Sequence, residues 1–241
     1  MSSVTLVMPA HNEGVSIFST LQDISQKVAT GQAFRIYVSE DGSSDNTRSE
    51  VLRARSEFTN IEIVLSEPSP RLGYSRAVQK GIENCKSEVI GFVDSDGQYD
   101  PAEFEALYKM LKPGTVVVGY RNPRKDSKLR IFYSKMFNLA YRFFGGPKLR
   151  DPSCPLIFAY KDEIESLSHI EIKLDYGFWW EFQTRLKHIG LVVVEIPVTH
   201  LVRKEGSTQV YKLKKMPKIV YSHLLGLARL RRELRNSSTK K

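Results

Sequence analysis

The chain has 241 residues, 41% of them hydrophobic, and its 36 Lys and Arg against 27 Asp and Glu give a net charge of +9. This length and hydrophobic content predict a folded domain with a core and exclude a wholly disordered chain. The two cysteines have no metal-ligand or disulfide spacing and are typical of reduced thiols in a cytosolic protein. No apolar run reaches about 18 residues and no signal-peptide pattern is present, so we expect no transmembrane helix and a cytoplasmic location.

The first half of the chain alternates short apolar runs with segments of helical spacing. The apolar runs predict strands at Ser3–Met8 (ended by Pro9), Phe34–Val38, Ile61–Leu65, Glu88–Val93 and Val116–Gly119. The helical spacing predicts helices at Glu13–Thr30, Thr47–Glu57, Tyr74–Asn84 and Pro101–Leu111. Alternation with short connections predicts an α/β fold with a mostly parallel, doubly wound sheet.

The second half is less regular. Its predicted strands are Leu156–Tyr160 and Leu191–Val198, and its predicted helices are Ser127–Phe144, Tyr176–Ile189 (closed by Gly190) and Pro217–Arg235. The last helix carries Val220, Leu224 and Leu227 beside Tyr221, Leu225 and Ala228, and arginines follow. Residues 202–241 hold twelve basic and two acidic residues, so the rest of the chain nets −1.

This basic tail is compatible with several partners. A basic amphipathic helix predicts contact with an anionic membrane surface, and a tail packed against the body or a dimer contact is the alternative. Basic charge also suits nucleic acid, but the sequence holds no nucleic-acid-binding motif and the body is not basic, so we expect no nucleic acid.

Three predicted strands end in the polar loops PAHNEG, SEDGSSDNT and DSDGQYDP. Ligands of parallel α/β sheets bind at the carboxyl ends of the strands, which lie at one edge. Asp94 and Asp96 are two positions apart on an extended segment and can point to the same side. Paired carboxylates are ligands that Mg²⁺ and Mn²⁺ prefer, with substrate phosphates at the remaining positions. The sequence therefore predicts a site for Mg²⁺ or Mn²⁺.

Three further carboxylates lie at these strand ends. Glu13, Glu40 and Asp41 can accept hydrogen bonds from a nucleoside base or ribose. Each alone is more simply explained as a turn former or as an acid at a helix N-terminus. Together at neighbouring strand ends they favour nucleotide binding.

These motifs, in this order, resemble family 2 glycosyltransferases, which are inverting, nucleotide-sugar-dependent enzymes of the GT-A fold. The resemblance rests on PAHNEG, SEDGSSDNT, RLGYSRAVQKG and FVDSDGQYDP, and continues through GYRNPRKDSKLR, DPSCPLIFAY and PVTHLVRKEGSTQ. Within the family the chain is most similar to the polyprenol-phosphate (dolichol-phosphate) sugar transferases. The resemblance implies a GT-A catalytic domain over residues 1–210, with a nucleotide-sugar half at about 1–120 and an acceptor half at about 121–210. The basic amphipathic tail then covers residues 211–241.

The resemblance also implies roles for single residues. The nucleotide sugar would be bound by Pro9, Ala10, Glu13, Glu40, Asp41, Gly73, Asp94, Ser95 and Asp96. The metal, Mg²⁺ or Mn²⁺, would be bound by Asp94, Asp96 and Gln98. The catalytic residues would be Asp151, Arg121, Arg130 and Arg203, and the acceptor phosphate would be bound by Arg121, Arg130, Ser134, Arg203 and Ser207. Glu40 stands where the family usually has Asp, a departure that bears on the choice of nucleotide.

Elementary chemistry agrees with a phosphate acceptor. A sugar hydroxyl needs a general base before it can attack, whereas a phosphate monoester, with a second pKa near 6, is already anionic at pH 7. Arg121, Arg130 and Arg203 suit the positioning of such a phosphate, because the planar guanidinium group matches its oxygens. Asp151, with Asp175 in reserve, would be the base if the acceptor were a hydroxyl.

The expected function is inverting transfer of a sugar from GDP-mannose or a UDP-hexose to a polyprenyl or dolichyl phosphate at the cytoplasmic face of a membrane. The alternative is transfer by the same fold to a hydroxyl of a soluble or glycan acceptor. A non-enzymatic nucleic-acid-binding protein is the remote alternative, and the sequence leaves a homo-oligomer open.

Overall fold

The computed structural model describes residues 4–28, 34–125, 128–174, 177–202 and 216–238. Seven strands form one sheet: β1 Val4–Ala10, β2 Phe34–Glu40, β3 Glu62–Leu65, β4 Val89–Phe92, β5 Thr115–Arg121, β6 Ile157–Tyr160 and β7 Val192–Val198. The α-helices of the described residues are α1 Ile17–Lys27, α2 Thr47–Glu57, α3 Tyr74–Asn84, α4 Phe104–Lys109, α5 Lys128–Phe143, α6 Lys161–Ile164, α7 Phe178–His188 and α8 Met216–Ser238. Short 3₁₀ turns at Pro101–Glu103 and Glu165–His169 precede α4 and follow α6.

The strand order is β3-β2-β1-β4-β6-β5-β7. Strand β6 runs antiparallel to β4 and β5, and the other neighbouring strands are parallel. The predicted mostly parallel α/β sheet is therefore confirmed. Parallel strands need crossover connections, and the helices that supply them cover both faces of this sheet.

The two faces of β1 show why the sheet is buried on both sides. Leu6 and Met8 pack in the cluster that includes α1, α2 and α4, whereas Val7 packs in the cluster that includes α3 and α7. Side chains alternate between the faces of a strand, so every residue of β1 is apolar or small and none is exposed. The carboxyl end of this buried strand is thereby held at a fixed place on the sheet edge.

Several predicted boundaries are corrected by the structure. Strand β1 continues through Pro9, which lies opposite Ser39 of β2. A proline is tolerated here because β4 pairs with β1 only as far as Val7, so the missing N–H of Pro9 lies where the pairing with β4 has already ended. Helix α1 begins at Ile17 rather than at Glu13, since residues 13–16 form a turn. The short helix α6 and its 3₁₀ extension were not predicted, whereas α2 and α3 have the predicted bounds.

The C-terminal helix α8 packs against the body of the protein. Leu227 and Leu230 join Tyr141 and Trp180 in a third core cluster, and Arg185 of α7 donates a 2.8 Å hydrogen bond to Glu233 of α8. The alternative interpretation of the tail, a helix packed against the body, thus describes its inner face. Within the described residues, no helix combines the length and hydropathy needed to cross a bilayer.

Candidate active site

The polar loops that follow β1 and β2 meet at the carboxyl edge of the sheet, as predicted. Ala10 lies opposite Glu40 in the register, and Val7 lies opposite Phe92, so the three strands end side by side. The backbone N–H of Glu13 donates a 2.8 Å hydrogen bond to Thr47 Oγ1, which ties the first loop to the start of α2. The first loop is therefore held both by the strand that it follows and by its contact with the start of α2.

Asp41 binds a third loop, the one between β3 and α3, to this edge of the sheet. Its two carboxylate oxygens accept hydrogen bonds from the backbone N–H groups of Leu72 (2.6 Å) and Gly73 (2.8 Å), just before α3. Gly42 has a φ of +63°, and a Cβ there would lie 2.6 Å from the backbone nitrogen of Arg71, so only glycine admits this approach. The buried carboxylate of Glu40 likewise accepts a hydrogen bond from the N–H of Ser43.

The first carboxylate of the Asp-x-Asp pair is held by a chain of aromatic donors. The Tyr74 hydroxyl donates a 2.7 Å hydrogen bond to Asp94 Oδ1, and Trp179 Nε1 donates a 2.8 Å bond to the Tyr74 oxygen. Burial raises the pKa of Asp94 and outweighs the opposing effects of Tyr74 and Arg121. An acid with a raised pKa at this position is a group that a bound cation would stabilise in its charged form.

Asp96, the second carboxylate of the pair, lies in a loop that is hydrogen-bonded to the segment after β7. Asp96 Oδ1 accepts a 3.2 Å hydrogen bond from the N–H of Gln98, and the N–H of Leu201 donates a 2.8 Å bond to the Gln98 carbonyl. Tyr99 and His200 form an antiparallel bridge beside it. The chain then leads to Arg203 and Ser207, two predicted phosphate-binding residues that lie outside the described residues, as does the reserve base Asp175.

The donor set of this loop fits a divalent cation of the Mg²⁺ or Mn²⁺ type. Asp94, Asp96 and Gln98 line the same cavity and offer only oxygen ligands to a metal, which such hard ions prefer. In the described part of the chain, no three His, Cys, Asp or Glu side chains cluster closely enough to hold a metal by themselves. Substrate phosphate oxygens and water would have to complete the coordination.

Arg121 and Asp151 form a buried bidentate ion pair at the end of β5. Arg121 donates to Asp151 through Nε (2.6 Å) and Nη2 (2.8 Å), and both side chains are almost inaccessible. Burial alone would raise the pKa of Asp151, but hydrogen bonds and charge from Arg121, together with the charge of Arg124, lower it to about 2. Asp151 therefore stays ionised and keeps Arg121 in one orientation.

A second arginine stands beside this pair. Arg124 Nη1 donates a 3.0 Å hydrogen bond to Ser134 Oγ of α5 and lies 3.7 Å from Asp151 Oδ1. Arg130, on the first turn of α5, lines the same cavity and is close enough to Asp94 to lower its pKa. Three guanidinium groups thus face the space next to the Asp-x-Asp pair.

These groups line one end of a cavity of about 560 Å³. Its polar end is formed by Asp94, Asp96, Gln98, Arg121, Arg124, Arg130 and Ser134. Its other end is apolar and aromatic, with Met136, Phe137, Ala140, Phe178, Trp179, Trp180, Ile219, Val220 and Leu224. The apolar end lies between α5, α7 and α8, so the cavity joins a highly charged site to a groove suited to hydrocarbon.

Apart from Arg203 and Ser207, which lie outside the described residues, the predicted site residues fall into two groups in the structure. The cavity brings together Asp94, Asp96, Gln98, Arg121, Arg130 and Ser134, and Asp151 lies directly behind Arg121. At the sheet edge, but outside the lining of this cavity, are Pro9, Ala10, Glu13, Glu40, Asp41, Gly73 and Ser95. Their assignment to a nucleotide sugar stays a prediction.

Sequence reasoning missed Tyr74, Arg124, Trp179 and Trp180. Tyr74 follows Gly73 within RLGYSRAVQKG and Arg124 lies within GYRNPRKDSKLR, so both stood in motifs that carry the family resemblance. The two tryptophans have no local signal, because Trp179 reaches Tyr74 from 105 positions away.

Comparisons with known proteins find similar sequences and similar folds. The family model described as glycosyl transferase family 2 matches residues 5–161. An undecaprenyl-phosphate 4-deoxy-4-formamido-L-arabinose transferase of Edwardsiella ictaluri is 26% identical over 220 residues, which cover 90% of this chain and 66% of that protein. A protein of the same description from Pseudomonas fluorescens is 32% identical over 165 residues, covering 67% of this chain and 48% of that protein. The chain thus spans between about half and two thirds of these relatives.

Solved structures share the fold. Glucosyl-3-phosphoglycerate synthase from Mycobacterium tuberculosis, in complex with Mn²⁺, UDP and glucosyl-3-phosphoglycerate, aligns with a TM-score of 0.66 and 15% identity, covering 94% of this chain and 80% of that one. The same enzyme with Mg²⁺ and UDP aligns with a TM-score of 0.65 and 15% identity, covering 94% and 79%. This likeness shows the GT-A fold and nothing finer.

Proposed function

Because the chain belongs to glycosyl transferase family 2, we propose that it transfers a sugar from a nucleotide diphosphate sugar to a polyprenyl phosphate. The observation that carries this proposal is the shape of the cavity. A carboxylate pair and three arginines lie at one end, and apolar side chains of α5, α7 and α8 form the other. A polyprenyl phosphate has this same division, with a dianionic head and a hydrocarbon chain.

The donor is proposed to bind at the carboxyl edge of the sheet. Asp94, Asp96 and Gln98 would hold Mg²⁺ or Mn²⁺, which when bound supplies positive charge against the leaving nucleoside diphosphate. Residues at the ends of β1 and β2 and in the loops after β1, β2, β3 and β4 would hold the nucleoside, namely Pro9, Ala10, Glu13, Glu40, Asp41, Gly73 and Ser95. The ions named in the related solved structures, Mn²⁺ and Mg²⁺, support a divalent cofactor.

The acceptor phosphate is proposed to bind between Arg121, Arg124, Arg130 and Ser134. Arg124 is held by Ser134 on one side and by Asp151 on the other, so its guanidinium group enters the cavity already oriented. A preoriented arginine loses less freedom when it binds a phosphate, and its fork matches two phosphate oxygens. Arg203 and Ser207 would complete the phosphate contacts from the segment after Val202.

The state of Asp151 favours a phosphate acceptor over a hydroxyl. A general base works best with a pKa near the working pH, whereas the pKa of Asp151 is about 2 and both of its oxygens accept hydrogen bonds from Arg121. Asp151 is therefore a poor proton acceptor and serves to position Arg121. A phosphate oxygen is already anionic and needs no base, so direct in-line attack with inversion is compatible with this site.

Finer points of the proposal follow from the family rather than from single contacts. GDP-mannose or a UDP-hexose is the proposed donor, the cytoplasmic face of a membrane the proposed location, and contact of the basic α8 region with anionic lipid the proposed anchor. Transfer to a sugar hydroxyl is the alternative, with Asp175 as its base.

The test is release of nucleoside diphosphate from a panel of UDP- and GDP-sugars, with Mg²⁺ or Mn²⁺, in the presence and absence of a short-chain polyprenyl phosphate. We expect release that requires both the metal and the lipid phosphate. Asp96→Asn should reduce the rate by about 10²-fold or more, since it removes a ligand of the metal whose positive charge would stabilise the leaving group.

The matched control is Asp100→Asn, which changes a nearby carboxylate outside the cavity lining and should leave the rate unchanged. Metal-dependent release that ignores lipid phosphate but responds to soluble sugars would replace the proposal by its hydroxyl alternative. No release from any nucleotide sugar, by a protein that is folded and binds metal, would overturn both.

A further inference from the structure

The exposed side of α5 carries an apolar stripe. Its members are large hydrophobic residues at spacings of three and four, and they lie in solvent: Leu129, Phe132, Met136, Leu139 and Phe143. Residues at this spacing lie above one another on one side of a helix. Leu139 is 67% exposed and Phe143 is 76% exposed, so the stripe is not part of the core.

Helix α8 continues this apolar surface. Its first half exposes Val220, Tyr221, Leu224 and Leu225. The rings of Phe137 in α5 and His223 in α8 lie 4.3 Å apart, and Arg231 donates a hydrogen bond to the carbonyl of Phe143 eight residues further along α8. The two helices therefore run side by side in the same direction, and their exposed apolar residues form one surface, here called the α5/α8 face.

The charge around the α5/α8 face has one sign. Helix α5 contains four Lys and Arg and no acid, and Lys135 and Arg142 lie exposed beside the stripe. In α8 the single acid, Glu233, is paired with Arg185 and Lys173 of the body. Beyond the apolar half of α8, a cleft of about 1130 Å³ is lined by Lys187, His188, Arg231, Arg232 and Arg235, and no carboxylate is among its lining residues.

We propose that the α5/α8 face docks on the surface of an anionic phospholipid bilayer, with the α5 stripe inserted and the flanking cations on lipid phosphates. An apolar stripe bordered by Lys and Arg is the pattern of a helix lying in the interface plane of a membrane. A soluble partner surface would not match both the apolar stripe and the single sign of charge as simply.

The position of the cavity strengthens this choice of partner. Its apolar end is lined by Met136 of the stripe and by Val220 and Leu224 of the α5/α8 face, so it opens where the bilayer would lie. This step rests on the proposed function, because it gives a lipid-linked acceptor a path from the bilayer to Arg124 and Arg130. The proposed docking on the bilayer depends only on the α5/α8 face and not on sugar transfer.

The experiment is flotation of the full chain with vesicles of phosphatidylglycerol and phosphatidylcholine in equal amounts, compared with phosphatidylcholine alone. The vesicles hold no polyprenyl phosphate and no nucleotide sugar, so failure of the proposed function would not alter the result. We expect binding to the anionic vesicles. The double variant Phe132→Gln/Leu139→Gln should bind at least tenfold more weakly, since both side chains would otherwise enter the bilayer.

Two controls separate docking from folding and from catalysis. Met110 and Val192 are exposed to a similar degree, 49% and 60% against 56% for Phe132, but lie outside the face, so Met110→Gln/Val192→Gln should bind like the parent chain. Asp96→Asn, which impairs the proposed transfer, should also bind unchanged. Removal of the cations in Lys135→Gln/Arg142→Gln should weaken binding about fivefold for each charge.

Two outcomes would overturn the inference. One is equal binding of the parent chain and the Phe132/Leu139 variant to anionic vesicles. The other is absence of vesicle binding together with self-association that the Phe132/Leu139 variant loses, as measured by sedimentation, because the face would then be a contact between two copies of the chain.

Discussion

The sheet edge and the helical half of the cavity are built in different ways. At the sheet edge, the loops after β1, β2 and β4 end neighbouring strands, and short polar side chains such as Thr47 bind them to one another. In the helical half, aromatic and apolar residues of α5, α7 and α8 meet from distant parts of the chain. The edge is rigid because parallel strands fix it, whereas the helical half depends on packing between three helices.

Several contacts of the described residues hold the charged end of the cavity in place. They include the ion pair of Arg121 and Asp151, the hydrogen bonds by which Trp179 of α7 and Tyr74 hold Asp94, and the bond of Arg124 to Ser134 of α5. Breaking each in turn measures how far the charged end depends on these supports.

The largest effect is expected from the buried ion pair. Arg121→Met leaves the carboxylate of Asp151 buried with its main partner removed, which should lower the free energy of unfolding by about 3–5 kcal/mol. Urea denaturation followed by circular dichroism measures it. Arg130→Met, which removes an arginine from the same cavity, should change stability little but reduce sugar transfer.

A double change shows whether the loss comes from the unpaired charge. Arg121→Met/Asp151→Leu should recover most of the lost stability, because no buried charge is left without a partner. Transfer activity should stay low in the double variant, since the proposed phosphate site then lacks Arg121. Recovery of activity together with stability would show that Arg121 acts only in the fold.

The second effect is the pH dependence of the same pair. The pKa of Asp151 is lowered to about 2 in the folded chain, against about 3.9 when unfolded. The ionised form therefore stabilises the fold above the unfolded pKa by about 2 kcal/mol, and this contribution is lost as the pH falls from about 5 toward 2.

Urea denaturation of the parent chain and Asp151→Asn between pH 6 and pH 3 isolates this contribution, because the other carboxylates are common to both. The difference in the free energy of unfolding should shrink as the pH falls. A difference that stays constant over this range would mean that the folded pKa of Asp151 is not lowered.

The same division explains what the sequence could predict. The Asp94 and Asp96 pair follows an apolar run that is buried on both faces, so strand, edge and site could be predicted from Val89–Pro101 alone. Arg121 was predicted through the family resemblance. The strand that ends at Arg121, β5, was also predicted from its run of apolar residues. Sequence rules work best where one buried strand carries the site residue.

The rest could not be predicted because its signal is not local. Asp41 was assigned to a base, and nothing in SEDGSSDNT shows that its oxygens bind the N–H groups of residues 72 and 73. The inner face of α8 was ambiguous for the same reason: Leu227 belongs to a regular apolar pattern, and only packing against Tyr141 and Trp180 decides that it is buried.

The third effect concerns the arginine that motif reasoning missed. Arg124→Met should reduce transfer to polyprenyl phosphate by about 10–100-fold, as expected for loss of a charge-assisted phosphate contact of about 1.5–3 kcal/mol. Stability should change by less than about 1 kcal/mol, since Asp151 keeps its bidentate bond to Arg121. Steady-state rates at varied acceptor concentration measure it.

Arg150→Met is the matched control, because Arg150 stacks on Tyr120 outside the cavity. Its rate should equal that of the parent chain. An unchanged rate for Arg124→Met would move the phosphate site away from the loop after β5.

The smallest effect is expected from the link between Trp179 and Asp94. Tyr74→Phe keeps the ring, which packs edge-on against Phe178 and Trp179, and removes only the hydroxyl. Asp94 then loses a donor at 2.7 Å and Trp179 loses its acceptor, so stability should fall by about 1 kcal/mol.

If Tyr74 holds Asp94 for the metal, the half-saturating concentration of Mn²⁺ should rise several-fold while the rate at saturating metal changes little. A lower rate with an unchanged metal requirement would instead assign Tyr74 to the sugar or the acceptor, and would place the reacting groups nearer to α3 than to α5.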